Sequence, residues 1–198
     1  MVTPYRVERS VVYFRSSMIP DERERRKWQN PRSTLLDAGL RPSITLVDIG
    51  CGDGFFALPA ARIVGETGKV YAFDEDPDAI DRLKRKATIE GIRNLEAKTG
   101  KAEDTVLCKE CADIVFFGIV LHDFKDPAKV LENSKIMLKP NGRLVDVDWK
   151  KTSMEVGPPL QIRFSEEEAA RLIESVGFKI QAVTESAPYH YMIIATKH

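Results

Sequence analysis

From about residue 43 onward, short apolar runs alternate with stretches of helical period, which leaves few architectures open to the chain. Ile44–Asp48 (ITLVD) is an apolar run that ends in an acid and passes straight into glycines. Phe55–Val64 then predicts a helix, Gly65–Gly68 breaks it, and Val70–Asp74 (VYAFD) predicts the next strand. Asp76-Pro77 supplies an N-cap and first helical residue for a helix with Ile80, Leu83 and Ala87 on one face and Gly91 as its stop. Ala112–Leu121 (ADIVFFGIVL) is almost continuously apolar, the pattern of a central strand covered on both faces. Asp126-Pro127 repeats the helix-opening punctuation, with Val130, Leu131, Ser134, Met137 and Leu138 predicted to face inward. Lys139–Gly142 (KPNG) reads as a turn and Arg143–Val147 as a further strand. Ser165 and Glu168 form a capping box ahead of a helix carrying Ala169, Leu172, Ile173 and Val176, which Gly177 ends. Lys179–Thr184 and Tyr191–Thr196, separated by a Ser-Ala-Pro turn, predict a hairpin.

This alternation predicts an α/β fold, a doubly wound and mostly parallel sheet with helices on both faces. In such sheets ligands bind beyond the carboxyl ends of the strands, where the strand order reverses. Attention therefore goes to Gly50–Gly54, Asp74, Lys101–Asp104, Gly118–Asp123 and Asp148–Trp149. The 198 residues divide into an N-terminal cap, 1–30, expected to fold over the cleft, and one domain, 31–198. Tyr13, Phe14 and Trp28 are candidates for an aromatic lid or for ordinary packing.

Gly50, Gly52 and Gly54 stand at alternate positions between a strand and a helix, where glycine permits a tight turn and close backbone approach to a ligand. Asp48 ends the strand before them, and Asp74 ends the next strand, where a carboxylate can accept both hydroxyls of a ribose. The dinucleotide fingerprint G-x-G-x-x-G needs glycine at position 55, but Phe55 stands there. Asp53 also lies in the turn, unfavourably for a pyrophosphate. A ribose with a zwitterionic amino-acid tail suits the turn better than a dinucleotide, so an NAD(P)-dependent oxidoreductase is disfavoured.

VDIGCGDG followed by VYAFDEDPDAIDRL resembles the first motif and acidic loop of class I S-adenosylmethionine-dependent methyltransferases, nearest the ubiquinone/menaquinone-biosynthesis-like small-molecule group. TGKAED, DIVFFGIVLHDFKDPAKVL and LKPNGRLVDVDWK continue the likeness from about Leu35 to the C-terminus. The resemblance implies a Rossmann-like seven-stranded sheet with a C-terminal antiparallel hairpin strand, and S-adenosylmethionine as cofactor. Carried over by position, it implies that Asp48, Gly50, Cys51, Gly52, Gly54 and Phe55 form the turn beneath the methionine and ribose. It places Asp74 on the ribose hydroxyls, Glu75 beside the adenine, Ala102 and Glu103 at the adenine edge, and Gly118, Ile119 and Val120 below the sulfonium. One departure is Lys101, where the family often has an acid for the adenine amino group; Glu103, Asp104 or a backbone carbonyl must replace it, or the contact is absent.

Methyl transfer from a sulfonium needs alignment and, for a protonated nucleophile, a base. His122 is the candidate catalytic base; equally, it caps the loop or packs on the cofactor. Gly118–His122 stands where amide- and amino-nitrogen methylating relatives carry Asn/Asp-Pro-Pro-Tyr, which disfavours those acceptors. Trp149 either walls the acceptor pocket or covers core, and Arg163 either binds an acidic acceptor or pairs with Glu166 or Glu167.

Lys+Arg and Asp+Glu each number 30, so there is no general attraction to nucleic acid or acidic membranes. Arg23–Lys27 (RERRK), with Asp21, Glu22 and Glu24 beside it, reads as a solvated helix face rather than a nucleic-acid patch. These features point to a small-molecule acceptor, with methylation of protein or RNA, or non-catalytic regulatory binding, as alternatives. The longest apolar run is too short for a bilayer, and the N-terminus lacks a secretion pattern; the expectation is a cytoplasmic protein. Cys108-x-x-Cys111 lacks the second ligand pair of a zinc site, and with Cys51 it makes an odd count, so the two are expected as small apolar side chains, with no metal and no disulfide.

Overall fold

In the computed structural model, residues 22–197 are described; the readings for Tyr13 and Phe14, and most of the cap, lie outside them. Two short helices, α1 (Glu22–Trp28) and α2 (Pro31–Asp37), precede β1 (Thr45–Ile49). There follow α3 (Ala57–Val64), β2 (Lys69–Asp74), α4 (Pro77–Ile89), β3 (Leu95–Thr99), β4 (Ala112–Gly118), α5 (Pro127–Met137), β5 (Leu138–Trp149), α6 (Glu166–Ser175), β6 (Phe178–Ser186) and β7 (His190–Lys197). The seven strands form one sheet in the order β3-β2-β1-β4-β5-β7-β6. The β1–β5 pairings are parallel, whereas β7 runs antiparallel to both β5 and β6. This is the Rossmann-like mixed sheet expected, and the order reverses between β1 and β4.

The central strands separate two apolar layers because successive side chains point to opposite faces. Leu46, Ile114, Phe116 and Val145 pack with α2, α3 and α4, while Val47, Val115, Phe117 and Leu144 pack with α5 and α6. Local signals start the helices where the sequence places them. Asp76 accepts from the Asp78 N–H, Asp126 from the Lys129 N–H, and Ser165 and Glu168 complete their reciprocal capping box.

One boundary differs. Lys139–Gly142 is not a turn ahead of β5 but an irregular stretch within it. Ala112 pairs with Leu138, and then Ile114 pairs with Arg143, so the intervening residues bulge out of the ladder. Pro and Asn-Gly give a turn signal locally, but pairing with β4 resumes on either side of them.

At the carboxyl edge, α1 is fastened to the sheet through aromatic rings. Trp28 stacks on His190 with centroids 5.3 Å apart and lies 5.5 Å from the Trp149 ring. Trp149, at 4 % exposure, is therefore part of the packing that holds α1 rather than an open wall. His190 is fully buried, and both its ring nitrogens lack partners. Burial, reinforced by the charges of Arg25, Arg163 and Lys150, pushes its pKa down to about 3. In the unfolded chain a histidine titrates near ~6.5, so acidification protonates the unfolded state first, and stability is lost as pH falls from about 6.5 towards 3. His190→Phe should remove this contribution. In urea denaturation, the variant should lose less stability than wild type across that window, whereas parallel pH profiles would contradict the assignment.

Candidate active site at the carboxyl edge of the sheet

The turn after β1 is stitched to the end of β2, because the Gly50 and Cys51 N–H groups both donate to the Phe73 carbonyl, at 2.9 and 3.2 Å. Gly50 and Gly54 have φ of 69° and 98°, and a Cβ on either would lie 2.5 Å or less from Val120 or Leu83, so a larger residue fits neither the backbone nor the space. At Gly52 nothing lies within 4 Å of the Cβ position, and the backbone there faces open space. Asp74 turns toward this opening: one carboxylate oxygen accepts from the Gly52 N–H at 2.9 Å and the other from the Asp76 N–H at 3.0 Å. Each oxygen keeps a further lone pair for a ligand. Glu75 is exposed beside it.

Beyond β3, Ala102–Asp104 forms a single 3-10 turn. The Asn133 side-chain amide, from α5, donates to the carbonyls of Ala102 and Glu103 at 3.0 and 2.7 Å and fixes this turn. The Glu103 carboxylate reaches the Lys125 N–H at 3.2 Å, tying the turn to the approach of α5. Lys101 is exposed, and its carbonyl accepts from Thr105.

β4 ends at Gly118, earlier than the apolar run suggested, because Ile119 takes a positive φ of 65° while its N–H donates to the Val147 carbonyl at 2.7 Å. A β-branched residue in this region is strained. The strain redirects the chain into a 3-10 turn, Leu121–Asp123, that carries His122 beneath the end of β5. His122 Nδ1 lies 2.8 and 2.9 Å from the two oxygens of Asp148, and its backbone N–H also points to that carboxylate at 3.3 Å. Because a carboxylate only accepts, Nδ1 carries a hydrogen toward Asp148. Asp123 lies 3.6 Å from Nε2. Deeper on the same face, Asp146 is fully buried with both oxygens unpartnered, as is the Tyr191 hydroxyl. Burial, with the nearby Asp148, raises the Asp146 pKa well above the carboxylate range.

Several residues near the carboxyl edge carry no clear signal in the sequence. Arg26 and Lys27 pair with Glu22 and Glu24, as a solvated face would, but Arg25 does not belong to that face. Its guanidinium carbon lies over Phe55, 3.8 Å from the ring centroid, and its Nε donates to the Gln29 side-chain oxygen at 2.8 Å. The spacing of Arg25, Trp28 and Gln29 puts all three on one helical face, a cue masked by the surrounding charges. Arg25 Nη2, Gln29 Nε2 and Asp48 Oδ2 are all buried without a partner. Arg163 forms no ion pair with Glu166 or Glu167 among the described residues. It donates to the carbonyls of Pro158, Lys150, Thr152 and Val156 at 2.7–3.2 Å, locking the loop after β5 into shape. Between this loop, α6 and the start of α5 lies an open cavity of about 310 Å³, lined by Pro127, Lys151, Ile162, Phe164 and Leu172 among others.

Cys108 and Cys111 also depart from expectation, since they are joined as a disulfide across a tight turn with Cα atoms 5.9 Å apart, a separation such a bridge spans. Cys51 is a buried free thiol in the glycine turn. Among the described residues no group of three or more His, Cys, Asp or Glu side chains is arranged to hold a metal, and no helix is long and apolar enough to cross a membrane.

A family profile described as a methyltransferase domain matches residues 40–190, and the chain belongs to that family. It is 29% identical over 131 residues to the ubiquinone/menaquinone biosynthesis C-methyltransferase of Klebsiella pneumoniae, which spans 66% of this chain and 51% of that protein. An arsenite methyltransferase of Halobacterium salinarum is 26% identical over 59% of this chain and 30% of its own length. The chain thus spans about half or less of these curated relatives. The crystal structure of a SAM dependent methyltransferase from Aquifex aeolicus superposes with a TM-score of 0.84 at 29% identity, covering 93% of this chain and 96% of that one.

Asp48 gives the site an electrostatic signature. It is 1 % exposed, and burial, followed by the neighbouring Asp74, pushes its pKa up to about 8, with Arg25 opposing. An unfolded aspartate titrates near ~3.9. Between about pH 4 and 8 the folded ligand-free protein therefore binds the extra proton, and stability from this group declines as pH rises. Wild type should lose stability relative to Asp48→Asn steadily as pH rises across that window in urea titrations. A difference independent of pH would show that Asp48 is ionised throughout.

Proposed function

We propose that the domain binds S-adenosylmethionine over Gly50–Gly54 and directs transfer of its methyl group to a small-molecule acceptor in the cytoplasm. The observation that carries this reading is Asp74, pinned against Gly52 beside an open backbone where a ribose can be held by the carboxylate. The buried, unpartnered Asp48 oxygen also suits a ligand bearing an ammonium group. When bound, the donor supplies a methyl group already activated by a sulfonium.

The remaining work falls to the chain. Asp74 orients the ribose, and the Ala102–Glu103 turn, fixed by Asn133, borders the adenine. Gly118, Ile119 and Val120 form the floor at the reacting end, where Val120 already meets Gly50. The acceptor enters by the cavity under the loop that Arg163 holds. Asp148 fixes the tautomer and direction of His122, so that Nε2 can take the acceptor's proton as the new bond to the methyl carbon forms. The loop-capping and proton-accepting roles of His122 are compatible, because one carboxylate holds both its backbone and its ring. The cations of α1 at Arg26 and Lys27 are paired on the helix, which favours a small acceptor over a nucleic acid.

Calorimetric titration separates this reading from its rivals. Wild type should bind S-adenosylmethionine and not NAD, and Asp74→Ala should weaken donor binding by roughly tenfold to a hundredfold, as loss of charge-assisted hydrogen bonds does. A wild type that takes up NAD instead would overturn the cofactor assignment. In a labelled-methyl assay over metabolite, RNA and protein pools, label should enter the metabolite pool. There His122→Ala should slow transfer by about 10²–10⁴ with donor affinity nearly unchanged. If donor binding collapses with the histidine, it is a structural residue; labelled RNA or protein would reject the small acceptor.

A further inference from the structure

Cys108 and Cys111 take no part in the chemistry proposed above, yet they lie on the chain that leads away from the adenine-bordering turn. That chain, residues 102–111, is held by α5 at both ends. At one end the Asn133 amide holds the carbonyls of Ala102 and Glu103. At the other, the N–H groups of Glu110 and Cys111 donate at 3.0 Å to the carbonyls of Ile136 and Met137, the last two residues of the helix. A helix has no donor of its own for its final carbonyls, so the Cys108–Cys111 turn caps α5. The cap requires an unusual backbone. Glu110, between the two cysteines, has φ of 49°, a left-handed conformation that a residue with a Cβ seldom adopts. The bridge closes a short loop around it, with the cysteine Cα atoms 5.9 Å apart. Closing so short a loop removes little entropy from the unfolded chain, which makes the bridge a poor general staple.

Both cysteines are only half-buried, and Lys109 and Glu110 between them are exposed, so the bridge lies within reach of a thiol in solution. Among the described residues the pair belongs to no group of three or more potential metal ligands, and in the compartment proposed above disulfides are chiefly redox-active ones. We propose that Cys108 and Cys111 form a reversible thiol–disulfide switch that sets how firmly the adenine-bordering turn is held. This rests on the donor reading above and adds a regulation to it. In the reductive direction, a thiolate of a glutathione- or thioredoxin-class reductant attacks one sulfur, the S–S bond breaks, and the other cysteine leaves as a thiolate that takes a proton. A second thiol of the reductant then displaces the first cysteine from the mixed disulfide. Two electrons and two protons pass to the cysteine pair, and the reductant departs as its own disulfide. Without the bridge, Glu110 returns to negative φ, and the N–H groups of Glu110 and Cys111 leave the end of α5. Residues 102–111 then keep their hydrogen bonds to that helix only at Asn133.

The test equilibrates the full chain in glutathione buffers from oxidising to reducing, quenches it with an alkylating agent and maps the cysteines by mass spectrometry, with Cys51 read on its own peptide. Cys108 and Cys111 should pass together and reversibly between bridged and alkylated forms. Calorimetry with S-adenosylmethionine should then show binding to the reduced protein at least about fivefold weaker than to the oxidised one, the lower end of ordinary coupling between two sites. The double variant Cys108→Ser, Cys111→Ser should bind like reduced wild type in both buffers. A bridge that resists glutathione and opens only as the protein unfolds is a structural staple and overturns the proposal. Equal donor affinity of wild type in both redox states overturns it too, and leaves the donor reading standing. A wild type that binds no donor in either state rejects that reading and the coupling with it, a distinct and recognisable result.

Discussion

The reversal of the chain between β1 and α3 sets the position of every other group at the site. Two backbone N–H groups of the turn share the Phe73 carbonyl, so the turn cannot move without the end of β2, and Asp74 is the next residue. Gly50 lies so close to Val120 that the same turn also fixes the loop after β4, and with it the approach to His122. Three strand ends are thereby tied together, by backbone hydrogen bonds to the end of β2 and by the close approach of Gly50 to Val120. The strained Ile119 is the counterpart on the β4 side, held by the Val147 carbonyl of β5. A rigid floor of this kind suits chemistry that depends chiefly on aligning two reactants.

Above that floor the protein tolerates buried polar atoms that a purely structural core would avoid. Asp48, Asp146, His190 and Tyr191 are each buried with unsatisfied polar atoms, and the charged forms of all four are disfavoured by burial. His190 is enclosed by the rings that seat α1, and its neutrality keeps a further positive charge away from Arg25 and Arg163. Asp148 contrasts with them, since it accepts from His122 and from the Trp149 N–H. The two aspartates of the D-V-D stretch on β5 thus share a face of the sheet but not an environment. One positions a base, and the other lies deeper in the apolar layer.

Features set by neighbours in sequence were legible from the sequence, and those set by distant partners were not. Asp76, Asp126 and Ser165 announced their helices because a cap is made within three residues of itself. The alternating apolar runs gave the sheet and its C-terminal hairpin, and the glycines with Asp48 and Asp74 marked the carboxyl edge. The KPNG stretch misled because its turn signal is local, whereas its pairing with β4 is not. For Arg163 only an acidic acceptor or the nearby Glu166 and Glu167 came into view, because its four carbonyl partners lie in a loop without regular structure. Arg25 and Gln29 were hidden in a charged helix whose inward face shows only once Trp28 is seen packed against β5 and β7. His122 was visible as a candidate by position, but its orientation comes from Asp148, 26 residues on.

The most direct measurement of this arrangement is a crystal structure of the protein with S-adenosylhomocysteine, the demethylated form of the proposed donor. The account predicts the ribose hydroxyls on the Asp74 carboxylate, the adenine against the Ala102–Glu103 turn, and the thioether sulfur above Gly118–Val120. A ligand whose ribose lies away from Asp74, or one found outside the cleft between Gly52 and Val120, would contradict it.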